Sequence, residues 1–147
     1  LPKTLEYLET QGVPVVGFRT GCFPAFYSTE SDLPLDLTAD SPERIAALYR
    51  VQKALGLRQG ILVANPVARE HEIPRDVMER YIRRALQDLQ EREVTGKAVT
   101  PFLLARIVEL SEGRALETNV QLLLSNVRLA CGIARALTPD RGVGRTA

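Results

Sequence analysis

Two short runs rich in valine and leucine, VPVVGFR (13–19) and GILVANP (60–66), enclose a helix-like segment, and this alternation constrains the fold more than any other feature. Neighbouring strands joined through a helix must cross over and run parallel. Strands that alternate with helices therefore predict an α/β domain with a partly parallel sheet. The same pattern leaves a deficit. Two clear strands are too few to cover the apolar helix surface that the rest of the chain carries. The expectation is part of a larger layered α/β domain, with the remaining strands outside this sequence.

The helices are read from their periodicity and their caps. LPKTLEYLETQG has a stripe at Leu1, Leu5 and Leu8 and stops at Gly12. TGCFPAFYSTESDLPLDLTAD is expected to be irregular or short-stranded, from its prolines and turn residues. Ser41 caps a helix opened by Pro42, with Ile45, Leu48, Tyr49 and Leu55 facing inward and Gly56 as its stop. AREHEIP reads as a polar loop. RDVMERYIRRALQDLQERE is amphipathic, with Met78, Ile82, Ala85 and Leu89 on one face. PFLLARIVELSEG is apolar nearly all round and is expected to be buried. TNVQLLLSNVRLACGIARAL is the last long helix, ended by Thr138-Pro139, and residues 138–147 are expected to form a flexible tail.

Composition excludes several function classes. The 147 residues suit one domain, and basic and acidic residues are interspersed to a net charge of +1. Nothing in that balance predicts a nucleic-acid or membrane-surface partner. No run reads as long or apolar enough to span a bilayer, and no signal-peptide pattern is present. Cys22 and Cys131 lack zinc spacing and are expected to be reduced thiols of a cytoplasmic protein, with Cys131 in the core.

Gly96-Lys97 followed by Thr100 suggests the end of a phosphate-binding loop. A charged helix rather than a strand precedes it, and the first glycine of that motif is missing. The simpler reading is a helix–loop–helix connection, with Gly96 as stop, Thr100 as cap and Pro101 in the first helical position. Lys3, Lys53 and Lys97 are the only lysines, and none sits in an apolar setting that would favour imine chemistry. His71 stands beside Glu70 and Glu72 in a loop and reads as exposed rather than metal-bound.

Three asparagines are binding candidates. Asn65 ends a strand, where ligands gather in parallel sheets, though an Asn-Pro turn explains it equally well. Asn119 reads as a ligand amide or an N-cap, and Asn126, two turns on, as a ligand or core amide. An amide offers both donor and acceptor, which a uracil edge requires.

Five blocks, LEYLETQGVPVVGF, FPAFY, GILVANP, GKAVTPFLLARIVEL and LETNVQLLLSNVRLA, together resemble the pseudouridine-5′-phosphate glycosidase family, the indigoidine synthase A-like proteins. The resemblance runs from Leu1 to Leu137. It implies a three-layer α/β/α fold, of which this chain would be the helix-rich C-terminal portion, and a homotrimer. It also implies reversible cleavage of the C–C glycosidic bond of pseudouridine 5′-phosphate to uracil and ribose 5-phosphate. The family uses an imine-forming lysine, an acid–base glutamate and manganese held through an aspartate. The resemblance places all three ahead of this sequence, so the chain would contain no catalytic residue and be inactive alone. Among substrate contacts it assigns Asn119 of the LETN block to the uracil ring, with Asn65 second. Where the family carries Asp-Glu before FPAF, this chain has Gly21-Cys22. A rival expectation is a non-catalytic scaffold for ligand binding or subunit association.

Overall fold

A computed structural model of the chain describes residues 2–29 and 31–138. Helix α1 (Pro2–Thr10) leads into strand β1 (Val15–Phe18). Strand β2 (Leu37–Ala39), helix α2 (Pro42–Ala54) and strand β3 (Leu62–Ala64) follow. Helices α3 (Arg75–Glu91), α4 (Val99–Leu110) and α5 (Arg114–Leu137) complete the order. The expected α/β class holds, and the segment left open as irregular or short-stranded contributes β2. The three strands pair in parallel, in the order β2-β1-β3, with Val16 opposite Leu37 and Val63. Leu1 of the expected stripe and residues 139–147 of the expected tail lie outside the described residues.

Two apolar clusters hold the fold. Val16, Ala39 and Ile45 form the first, with Leu48, Val63, Leu129 and Ile133 against them, so α2 and the C-terminal half of α5 cover one sheet face. Ile73, Met78, Ala85, Ile107 and Ala115 form the second, between α3, α4 and the start of α5. A 24-residue helix is about 36 Å long, so α5 reaches from one cluster to the other. Gly132 permits its approach to α2: a Cβ there would stand 3.0 Å from the Pro42 ring.

Local chemistry explains the boundaries. The Ser41 hydroxyl accepts from the Arg44 amide and Pro42 follows it, as expected. Gly12 and Gly56 both take positive φ, the left-handed turn that ends a helix. Helix α4 starts earlier than expected: Gly96–Ala98 is a 3₁₀ turn, Val99 opens the helix, and Thr100 lies inside the first turn rather than capping it. Pro101 still fits, because first-turn N–H groups have no intrahelical acceptor.

Several burial expectations fail, for one physical reason. Tyr49, Leu55 and Ile82 are exposed, and α2 buries the polar Gln52 alongside Ile45 and Ala46. Cys131 is an exposed thiol rather than a core residue. Helix α4 buries only Ile107, with Leu104 open. Apolar character marks surface fit to be covered, but coverage needs a neighbour. Helix α5 is also long and apolar enough, by length and composition, to cross a membrane, which corrects the expectation that no run is. In the fold it packs along α2 instead.

Asp88 is the polar tie between α3 and α4. Its carboxylate, nearly buried, accepts from Arg106 Nε and lies 3.0 Å from Arg84. The Arg106 hydrogen bond holds it below the usual carboxylate range, against the desolvation that raises it; the charges of Arg106, Arg84 and Arg92 add to the lowering. A carboxyl acidified by folding stabilises the fold fully above its unfolded value of about 3.9, and that contribution fades as pH falls through the lower folded value. Asp88→Asn is therefore expected to lower the melting temperature at pH 7 and to converge with the parent as pH falls through the lowered folded value. Melting curves across pH check this, and a constant gap at every pH contradicts it.

Candidate functional site

The carboxyl ends of the three parallel strands define the site. In open α/β sheets ligands bind beyond these ends, where connections leave a central strand in opposite directions. Here β1 is central. Its exit, Arg19-Thr20-Gly21, faces the exit of β2 at Asp40 on one side and that of β3 at Asn65-Pro66 on the other.

Arg19 is fixed at this edge. It is a non-glycine residue in the left-handed region, with φ of 55°. Its N–H donates to the Ala39 carbonyl at 2.8 Å and its Nε to the Asp40 carbonyl at 2.9 Å. The guanidinium lies 5.0 Å from the Phe18 ring centroid. Strained backbone of this sort persists only where surrounding bonds hold it. A cavity of about 440 Å³ opens between Arg19, Thr20, Cys22, Thr29, Val67 and Arg69. Two guanidinium groups and, among the described residues, no carboxylate line it, an arrangement that favours an anion. A second hollow of about 330 Å³ lies on the other side of Arg19, toward Asp40 and Arg44.

The β3 exit carries the amides. Asn65 Nδ2 donates to Ser125 Oγ at 3.0 Å and to Asn126 Oδ1 at 2.8 Å, so Asn65 is tied to α5 rather than folded on its own turn. Asn126 is exposed and is no core amide. Asn119 is no N-cap: α5 begins at Arg114, after Gly113 with φ of 85°. Asn119 stands exposed on α5, on the same side as Asn126 and about 10 Å along the axis. The neighbouring Thr118 hydroxyl donates to the His71 carbonyl at 2.8 Å, which fastens this stretch of α5 to the connection after β3.

The structure thus brings Asn65 and Asn126 together and leaves Asn119 two turns away on the same side of α5. It leaves the other candidates apart. Lys53 lies with its Nζ 5.2 Å from the Tyr49 ring, and Lys3 and Lys97 are exposed on α1 and on the 3₁₀ turn. No strand precedes Gly96, so the phosphate-loop reading fails. His71 is half-buried, 3.6 Å from Glu70, in a 3₁₀ turn. Among the described residues no three His, Cys, Asp or Glu side chains converge, so these residues do not fit a manganese centre. Sequence reading missed Ser125, Arg19 and Arg69. The strand-end rule that singles out Asn65 applies equally to Arg19, whereas nothing local marks Ser125.

Comparison with known proteins settles the family. The family model described as "Indigoidine synthase A like protein" matches residues 1–136. The chain belongs to the indigoidine synthase A-like family. It is 52% identical over 144 residues to a pseudouridine-5′-phosphate glycosidase of Methylobacterium nodulans, covering 98% of this chain and 43% of the relative. It is 53% identical over 137 residues to that of Mesorhizobium japonicum, covering 93% and 45%. Among solved structures, an indigoidine synthase A-like protein of Thermotoga maritima superposes with a TM-score of 0.75 at 44% identity, over 89% of this chain and 43% of the other. A prealnumycin C-glycosynthase in complex with ribulose 5-phosphate superposes with a TM-score of 0.80 at 28% identity, over 92% and 45%. This indigoidine synthase A-like chain therefore spans about half the length of the curated relatives it matches.

Proposed function

We propose that this chain forms the uracil-side wall of a cytoplasmic pseudouridine-5′-phosphate glycosidase. The complete protein cleaves the C–C glycosidic bond of pseudouridine 5′-phosphate, reversibly, to uracil and ribose 5-phosphate. The observation that supports this most is identity above 50% to glycosidases across nearly the whole chain. The site agrees with it chemically. Asn119 carries the donor and the acceptor that a planar ring edge needs, and the hydrogen-bonded Asn65–Asn126 pair stands about 10 Å further along the same side of α5.

Breaking a C–C bond to an aromatic ring needs a way to stabilise the positive charge left on the sugar carbon. In the proposed reaction an amine displaces the ring oxygen at C1′, which opens the sugar and leaves that oxygen as a hydroxyl on C4′. The uracil carbon bonded to C1′ then takes up a proton, the C–C electron pair stays with the departing uracil, and the amine lone pair forms an imine at C1′ that water hydrolyses to ribose 5-phosphate and the free amine. None of the three lysines lines the two hollows at the strand ends, which supports the reading in which the amine comes from polypeptide outside this sequence. The same holds in this proposal for the acid–base glutamate and the manganese ligand. The complete enzyme is a homotrimer. Asn119 holds and orients the uracil ring.

The test uses a full-length chimera in which this chain replaces the matching segment of the Methylobacterium nodulans relative. With manganese, the chimera is expected to release uracil from pseudouridine 5′-phosphate, and this chain alone is expected to release none. Asn119→Ala in the chimera is expected to reduce kcat/KM on the order of 10- to 100-fold, the cost of a lost ligand hydrogen bond. Turnover by the chain alone would refute the assignment of the amine. An inactive but folded chimera would favour a non-catalytic scaffold.

A further inference from the structure

One face of α5 has no neighbour among the described residues. Leu116 is 54% exposed, Val120 46%, Leu123 61%, Leu124 43% and Val127 53%. At 100° per residue these five lie within about 100° of arc, along about 16 Å of helix. Exposed stripes of this sort mark interaction surfaces, since single exposed aliphatics are common but contiguous ones are not. Cys131, one turn beyond Val127, continues the stripe and is also exposed.

The sheet is unfinished in the same way. β1 is paired on both sides, but β2 and β3 each keep one edge unpaired among the described residues, and Leu37 and Leu62 on them are exposed. Parallel sheets occur with their faces covered and their strands buried. Helix α1 lies against β1 yet buries none of its described residues. More than half of each curated relative's length lies outside the match. A second copy seated on α5 would leave both sheet edges open. A polypeptide that continues the sheet and crosses α5 covers all three surfaces at once.

We infer that the apolar stripe of α5 is the seat of the polypeptide that forms the remainder of the full-length protein. Asn119 and Asn126 lie along one side of this stripe, about 40–60° around the helix from its near edge at Leu123. The segment that covers Leu116, Leu123 and Val127 therefore closes the cleft beside those amides. The inference rests on family membership; only its bearing on uracil rests on the glycosidase reading.

The experiment compares this chain alone with the chimera described above, each with and without Leu123→Asp and Val127→Asp together. Neither readout uses catalysis. In the chain alone the paired substitution is expected to move the melting temperature by less than about 2 °C, because both residues are already in water. In the chimera it is expected to lower it by at least about 10 °C, because two carboxylates then replace buried aliphatics. Alkylation of Cys131, followed by peptide mass spectrometry, is expected to be at least tenfold slower in the chimera than in the chain alone. Failure of either chimera result overturns the inference, as does a chimera that does not fold with the stripe intact. A homodimer of the chain alone that the paired substitution dissolves, with the chimera unaffected, assigns the stripe to a second copy instead. Loss of uracil release with both chimera results intact counts against the reaction and leaves the inference standing.

Discussion

Replacing Gly17 with alanine is expected to remove the folded state of the sheet. Gly17 sits buried in the central strand. A Cβ added there would lie 2.2 Å from the Thr20 carbonyl oxygen and 3.1 Å from Leu35 Cδ1. Real carbon–oxygen contacts do not approach that distance, and the obstacle is backbone, which cannot rotate away. The Thr20 carbonyl belongs to the tight turn in which Arg19 takes positive φ and bonds Ala39 and Asp40. Relief would require that turn to open. The loss is therefore expected to exceed the roughly 1–3 kcal/mol of ordinary overpacking. Gly21→Ala is the control. It lies four residues on, and a Cβ there meets nothing within 4 Å, so its effect should stay within about 0.5 kcal/mol. Urea unfolding followed by circular dichroism compares the two. Equal midpoints would show that the turn yields freely and that Gly17 is not required.

Truncation of Ile73 is expected to cost about 2–5 kcal/mol as Ile73→Ala, and about 0.5–1.5 kcal/mol as Ile73→Val. The side chain is fully buried and packs with Met78, Ala85, Ile107 and Ala115. Its backbone joins two connections that are remote in sequence. The Ile73 amide donates to the Tyr27 carbonyl at 3.0 Å, and its carbonyl accepts from the Ser28 hydroxyl at 2.9 Å. One step upstream, Glu72 accepts from the Thr29 amide and hydroxyl, at 2.8 and 3.0 Å. A cavity at Ile73 would thus loosen the wall of the guanidinium-lined hollow as well as the helical cluster. Denaturation midpoints of the parent and both variants give the test. An alanine variant as stable as the valine variant would mean that the site collapses without cost.

The candidate site was only half legible. Asn65 could be found because strand ends in parallel sheets are where backbone leaves the core and side chains meet solvent. Asn119 was reachable through the resemblance carried by LETN, but not by spacing, since an amide near a helix start serves as cap or ligand equally well. Only the position of Gly113 and Arg114 in the fold removes the cap reading. The bond from Asn65 to Asn126 spans 61 residues, and no local pattern encodes it. Arg19 was overlooked because a charged residue after a strand is usually just solvated.

What the sequence determined by itself was everything that depends on near neighbours. Ser41-Pro42 opens α2, Gly12 and Gly56 end helices, and the strand–helix–strand alternation makes the sheet parallel. These follow from backbone hydrogen bonds and dihedral preferences that act within a few residues. The tertiary structure decided which apolar faces are covered. It buried Met78 and left Ile82 outside, and it put Cys131 and the Leu116–Val127 stripe in water. The physical reason is that hydrophobic burial is not directional: periodicity marks a face that should be hidden, and only the arrangement of other elements supplies what hides it.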